Sequence, residues 1–126
     1  MTTINFRPNH FRDSIPPDEA RELFRLSVGY VEIEPFSYCN RRCHFCPNAS
    51  MPERQDRTNN QFMPEPLYRR ILDELASIGY SGQIQFGRYE EPLADRVIIE
   101  RIHQARQRLP KAYLYSHSNG DYLTAA

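Results

Sequence analysis

The feature that most constrains the fold of this chain is an alternation of strand-like and helix-like patterns. Three short stretches, at 30–36, 82–87 and 112–117, have the composition and apolar–polar alternation of β-strands. Two longer stretches between them, 63–80 and 95–109, carry apolar residues at helical spacing. Strands that alternate with helices favour parallel pairing with crossover helices, so the sequence predicts an α/β fold with a parallel sheet.

The helical stretches also predict which side chains are buried. A further short helix is predicted at 16–26, before the first strand, with a buried side made of Leu23, Phe24 and Leu26. In the stretch 63–80 the apolar stripe consists of Leu67, Ile71, Leu75 and Ile78. The last helix is predicted to bury Ile98, Ile102, Ala105 and Leu109.

Length and composition bound the class of protein. The chain has 126 residues, of which 40% are hydrophobic and 25% are charged, as in one modest globular domain. Its formal net charge is zero, so no basic field indicates a nucleic-acid partner. No apolar run approaches the roughly 18 residues of a membrane span, and the first residues lack the apolar core of a signal peptide. We therefore predict a cytoplasmic protein, in which thiols stay reduced.

All three cysteines lie close together, directly after the first predicted strand, at Cys39, Cys43 and Cys46. Reduced cysteines favour metal or redox chemistry over disulfides, and ligands of parallel α/β folds bind at the carboxyl ends of strands. Cubane iron–sulfur clusters normally take four thiolates, so three would leave one iron open to a small molecule. A zinc site that adds His44 or a distant histidine is the alternative.

The segment CNRRCHFC (39–46) resembles the cluster motif of the radical S-adenosylmethionine (radical SAM) superfamily, including the aromatic Phe45. The continuation Pro47-Asn48 is similar to SPASM-type members, which carry an additional C-terminal cluster domain. The resemblance implies that the three cysteines bind a 4Fe–4S cluster whose unique iron is chelated by SAM. It also implies reductive cleavage of SAM to a 5′-deoxyadenosyl radical that abstracts hydrogen from an unknown substrate. An electron donor such as flavodoxin or ferredoxin would then be a partner.

A second stretch, GRYEEPL (87–93), follows the second predicted strand. It resembles the Gly-Gly-Glu-Pro segment that receives the amino group of SAM in this family. Alignment on Glu-Pro implies this role for Glu91, with Tyr89 and Glu90 in place of the two glycines. The alternative is that Glu90 and Glu91 are ordinary acids at the N-terminus of the following helix.

The third stretch, Ser-Asn-Gly at 118–120, follows the third predicted strand. It is similar to the Thr-Asn-Gly that many members of the family place close to SAM. The resemblance therefore implies that Ser118 and Asn119 bind the cofactor. A plain turn is the alternative, because Asn-Gly is common in turns of every kind.

Barrels of this family commonly contain six β/α units, and three are predicted here. We therefore expect an N-terminal lead-in with a short helix at 1–29 and, at 30–126, the N-terminal half of a partial TIM-type (β/α) barrel, with the chain truncated. Enzyme activity would then be radical SAM chemistry in an incomplete barrel. The alternatives are a non-catalytic cluster-binding protein, a subunit whose barrel is completed by a further chain, and a small zinc-binding module.

Overall fold

The computed structural model describes residues 14–51 and 61–123. Residues 1–13 of the predicted lead-in lie outside these ranges. The helices and strands are, in chain order, α1 (Pro17–Ser27), β1 (Tyr30–Ile33), α2 (Glu65–Ser77), β2 (Gln83–Phe86), α3 (Ile98–Arg108) and β3 (Tyr113–Ser116). The predicted alternation of strands and helices is confirmed. Across the described ranges, none of the helices has the length and hydrophobicity of a membrane-spanning segment.

The three strands form one parallel sheet in the order β1-β2-β3. Across it, Ile33 of β1 lies opposite Phe86 of β2, which lies opposite Ser116 of β3. A parallel α/β sheet is therefore confirmed. Among the described residues the sheet is open, with β1 and β3 at its edges. The predicted half of a TIM-type barrel is therefore not confirmed.

The core lies on one face of the sheet, beneath α2 and α3. Side chains alternate along a strand, so every second residue of β1 and β2 points to this face. Ile84 and Phe86 are fully buried there, and each contributes about 1.5–3 kcal/mol relative to an exposed side chain. The core cluster also contains Ile33, Tyr68, Leu72, Leu75, Tyr80, Ile98, Ala105, Leu109 and Ala112.

The opposite face of the sheet is polar. The Tyr30 hydroxyl lies 2.6 Å from Glu32 Oε1 and 2.6 Å from Gln85 Oε1. The other oxygen of Glu32 pairs with the Arg88 guanidinium at 2.5 Å. Parallel sheets are usually apolar on both faces. This sheet therefore differs from the usual pattern in having one apolar face and one face of hydrogen-bonded polar side chains.

Helices α2 and α3 are joined by a buried contact between Tyr68 and Arg101. The Tyr68 hydroxyl donates to the Arg101 carbonyl at 2.6 Å, and the Arg101 guanidinium lies 4.9 Å from the centre of the Tyr68 ring. The guanidinium also donates to the Met63 carbonyl at 2.6 Å. This arginine, buried although charged, ties α3 to the segment that leads into α2.

The predicted buried faces need two corrections. In α1 the apolar side chains are exposed, with 43% exposure for Leu23 and 67% for Leu26, so the predicted buried side is wrong. In α2 the buried residues are Tyr68, Leu72 and Leu75, while Leu67 is exposed. Leu75 of the predicted stripe is buried, and Ile71 and Ile78 pack partly buried against the core, so the stripe is wrong only at Leu67 and lacks Tyr68 and Leu72.

Helix α3 begins later than predicted. The prediction placed its start at Asp95, whereas the helix begins at Ile98. Pro92–Ala94 forms a separate 3₁₀ turn, and Asp95 Oδ1 accepts a hydrogen bond from the Val97 amide at 3.1 Å. An aspartate that bonds a nearby backbone amide favours a turn over a helix interior, which explains the later start.

Candidate functional site

The segments that follow the three strands lie side by side at the carboxyl edge of the sheet. The Gly87 amide donates to the Ile33 carbonyl at 2.9 Å, and the Glu91 amide donates to the Tyr38 carbonyl at 2.9 Å. The Asn119 amide then donates to the Glu91 carboxylate at 2.7 Å. These bonds bring the cysteine segment and the two other predicted site segments to one place, as a parallel sheet requires.

Two glutamates fasten the β1 and β2 exit segments to each other. Glu34 Oε1 accepts from the amides of Tyr89 and Glu90 at 2.8 and 3.0 Å. Glu90 Oε2 accepts from the Phe36 amide at 2.6 Å, and its side chain is buried. Glu90 is therefore not an acid at a helix N-terminus. The contribution of Glu34 was missed, because its only sequence signal was a place on the polar side of β1.

Gly87 is the glycine of the GRYEEPL segment, and its backbone has a φ of 83°. A Cβ atom at this position would lie 2.6 Å from Pro92 Cγ and 3.2 Å from Glu90 Cγ. Both the left-handed backbone and the close approach require glycine. This residue therefore allows the segment after β2 to fold back beside the cysteine segment.

Glu91 is the centre of the predicted cofactor contacts. It is only 2% exposed, and its Oε1 accepts from the Ser118 hydroxyl at 2.6 Å and the Leu93 amide at 3.0 Å. Its Oε2 accepts from the Asn119 amide at 2.7 Å. The structure thus brings together all three residues that were predicted to bind SAM. A carboxylate offers about four acceptor positions, so one remains on Oε2.

The three cysteine side chains are partly buried in one segment after β1. The Cys46 amide donates to the Cys43 carbonyl at 2.9 Å, which closes a turn between these two cysteines. Burial raises the pKa of the Cys39 thiol; a hydrogen bond from the Arg41 backbone N–H opposes this, and the negative charge of Glu91 adds to it. The hydrogen bond from the Glu91 amide to the Tyr38 carbonyl places Glu91 next to the residue that precedes Cys39.

The three cysteines are the potential ligands of a metal cluster. Within residues 14–51 and 61–123, no three His, Cys, Asp or Glu side chains are arranged around a common point as metal ligands are. The set nevertheless fits an iron–sulfur cluster chemically, because cysteine thiolates are the usual ligands of such clusters. Binding would require the thiols of Cys39, Cys43 and Cys46 to turn toward one another.

Asp121, after β3, contacts the residues between the first two cysteines. Its Oδ2 accepts from Asn40 Nδ2 at 2.7 Å and from Arg41 Nε at 2.8 Å, and Arg41 makes a second bond to Oδ1. These bonds, that of Arg41 first, hold the pKa of Asp121 below its usual range. Asn119 Nδ2 donates to Asn40 Oδ1 at 2.8 Å. No motif in the sequence marked Asp121.

The chain is similar to a SAM-dependent dehydrogenase and to solved structures of BtrN. No family model matches the chain. It is 33% identical over 94 residues to an S-adenosyl-L-methionine-dependent 2-deoxy-scyllo-inosamine dehydrogenase of Niallia circulans. Among solved structures it is similar to BtrN in complex with AdoMet and 2-DOIA, with a TM-score of 0.67 and 31% identity. It is also similar to selenomethionine BtrN in an open conformation, with a TM-score of 0.65 and 30% identity.

These matches cover about three quarters of the chain, at 75% for the dehydrogenase and 76% for each structure. The chain spans only 36% of the dehydrogenase and 37% and 41% of the two BtrN chains. They also correct the sequence-based classification. The classification as the N-terminal portion of a SPASM-type barrel is wrong. The similar proteins are this dehydrogenase and BtrN, and they indicate neither the SPASM subclass nor the barrel portion.

Proposed function

We propose that the chain provides the cluster and methionine-binding part of a radical SAM enzyme. The observation that carries the proposal is the convergence of Glu91, Ser118 and Asn119 in one hydrogen-bonded group beside the cysteine segment. Glu91 follows β2, whereas Ser118 and Asn119 follow β3, so residues from two segments that are distant in the sequence meet at one place. The similarity to a SAM-dependent dehydrogenase supports the same cofactor.

In this proposal Cys39, Cys43 and Cys46 would hold a 4Fe–4S cluster. When bound, such a cluster would supply the electron for reductive cleavage of SAM into methionine and a 5′-deoxyadenosyl radical, which abstracts hydrogen from the substrate. The partly buried positions of the three thiols keep bulk water from much of their surface. A cysteine must lose its proton to bind metal, and the raised pKa of Cys39 makes this loss harder, so loading should improve as the pH rises.

Glu91 would receive the ammonium group of SAM on the acceptor position left at Oε2. The Ser118 hydroxyl and the Asn119 amide hold the carboxylate in place, so its orientation is set before the ligand arrives. A fixed carboxylate facing an ammonium forms a charge-assisted hydrogen bond, which is about twice as strong as a neutral one. The activity of the similar dehydrogenase makes 2-deoxy-scyllo-inosamine the first substrate to test.

Anaerobic reconstitution with iron and sulfide tests the proposal. The wild-type chain should become brown, lose its visible absorbance on reduction with dithionite, and release 5′-deoxyadenosine from SAM. Cys43→Ala should abolish the colour and the cleavage. His44→Ala is the matched control, because it removes a neighbouring potential ligand that only the zinc-site alternative uses, and it should keep the cluster.

Each alternative predicts a different result. A colourless protein that retains one zinc ion, and loses it in His44→Ala, would contradict the cluster and support a zinc-binding module. A brown protein that forms no 5′-deoxyadenosine would contradict catalysis by this chain and support a non-catalytic cluster-binding protein.

A further inference from the structure

We infer that Asp121 is a positioning residue that holds the cysteine segment in place relative to the SAM-binding residues. The role of Asp121 in cofactor binding rests on the proposed function, whereas its contacts are observed independently of that function. Asp121 does not act on the three cysteines directly. It acts through Asn40 and Arg41, the two residues that follow Cys39.

Arg41 transmits this contact to a thiol. Its guanidinium makes two bonds to the Asp121 carboxylate, and its backbone N–H donates a hydrogen bond to the Cys39 sulfur. Because the Arg41 guanidinium is held by Asp121, the backbone of Arg41 has less freedom to move. Hydrogen bonds to cluster sulfurs set the properties of iron–sulfur centres, and partners that orient metal ligands typically change metal affinity about 10–100-fold.

Asp121 is also connected to the residues proposed to bind SAM. Its backbone amide donates to Asn119 Oδ1 at 2.9 Å, and Asn119 Nδ2 donates to Asn40 Oδ1 at 2.8 Å. The backbone amide of Asn119 bonds to Glu91. One short chain of hydrogen bonds therefore runs from the carboxylate proposed to bind SAM to the first cysteine of the motif.

The competing explanation is an ordinary surface ion pair. The side chains of Arg41 and Asp121 are 47% and 37% exposed, and such pairs often contribute little to stability. The chain offers a matched control in Arg108 and Asp73, which pair at 2.5 Å with 57% and 54% exposure. This second pair links α3 to α2 and touches no site residue. Comparing Asp121→Asn with Asp73→Asn therefore separates positioning from general surface electrostatics.

The first measurement uses the full chain without metal or SAM. Hydrogen exchange of a peptide that spans residues 40–46 is followed by mass spectrometry in wild type, Asp121→Asn and Asp73→Asn. Asp121→Asn should speed exchange of this peptide about threefold or more, as expected for loss of one hydrogen-bonded contact. Asp73→Asn should leave it unchanged. Equal exchange in all three proteins would overturn the inference.

The second measurement follows the loss of iron from reconstituted protein to a ferrous chelator. Iron should leave Asp121→Asn about tenfold faster than wild type. Added salt should speed the loss from wild type toward the rate of the variant, because the ion pair is exposed to solvent. Equal rates would overturn the inference. A protein that binds no iron but shows faster exchange in Asp121→Asn would overturn the proposed function and leave the positioning contact supported.

Discussion

At the residue scale, Glu91 is a carboxylate whose burial and orientation depend on the same hydrogen bonds. It is a carboxylate with 2% exposure, and its three hydrogen-bond donors come from its own turn and from the segment after β3. Burial of a carboxylate is costly unless hydrogen bonds compensate, and here backbone amides and a hydroxyl do so. The same bonds that allow the charge to be buried also fix its direction.

Replacing Glu91 with glutamine tests whether the charge binds SAM. The amide keeps the size of the side chain but loses the charge, so a charge-assisted bond of about 1.5–3 kcal/mol to the ammonium would be lost. We expect SAM to bind about 10–100-fold more weakly, as measured by titration of the reconstituted protein. Ser118→Ala is the control, because it removes one hydrogen bond to the Glu91 carboxylate but keeps its charge.

The two variants distinguish a role of Glu91 in binding SAM from a role in holding the segments together. If Glu91 only fastens the segments, Glu91→Gln and Ser118→Ala should lower the thermal midpoint while SAM affinity stays equal to that of wild type. That result would contradict the proposed role of the carboxylate.

Residues could be predicted from the sequence when a linear motif marked them. Cys39, Glu91 and Asn119 belong to such motifs, and the structure places them near one another. Glu34 and Asp121 were not predicted, because each acts on backbone or side chains of another segment that is distant in the sequence. Such contacts depend on how segments pack, and no local pattern records them.

At the element scale, the segment after β2 depends on its first residue. Gly87 turns the chain with a backbone φ of 83°, and Pro92 packs against the position where a side chain would be. The turn allows Glu90 and Glu91 to reach the two neighbouring segments. The alternative that both acids are ordinary residues at a helix N-terminus is wrong for Glu90, whereas Glu91 caps the short 3₁₀ turn Pro92–Ala94 and the helix starts only at Ile98.

Gly87→Ala should therefore destabilise the protein and disturb the site. A residue held in an unfavourable backbone conformation costs about 1–3 kcal/mol, and the added methyl group would displace Pro92. Gly29→Ala is the matched control, since a Cβ there meets nothing within 4 Å. Urea unfolding should show a lower unfolding free energy for Gly87→Ala, together with weaker SAM binding. Equal unfolding free energies for the two variants would contradict this account.

At the scale of the whole molecule, the helices differ in how firmly they join the core. Helix α2 buries Tyr68, Leu72 and Leu75 against the sheet, whereas α1 buries no residue although it is similarly amphipathic. The sequence predicted both helices, since capping and periodicity are local. It could not predict this difference, because burial depends on what lies next to a helix in space.

Limited digestion with trypsin should reveal this difference. Both helices expose arginines, Arg21 and Arg25 in α1 and Arg69 and Arg70 in α2. Cleavage requires local unfolding, which costs less where fewer apolar contacts are broken. We expect the α1 sites to be cut before those of α2, as read by mass spectrometry of early fragments. Earlier cleavage in α2 would contradict the arrangement of the core.

The contrast between the two faces of the sheet has a consequence for how the strands find their partners during folding. If β1 paired one residue out of register, Glu32 would enter the apolar side and Ile33 would leave it. Tyr30 would move with Glu32, because both belong to β1, but the displaced carboxylate would lose its partner Arg88, a costly loss in an apolar environment. The polar residues on the open face thus also disfavour misaligned strand pairings, which would cost less free energy in a sheet that is apolar on both faces.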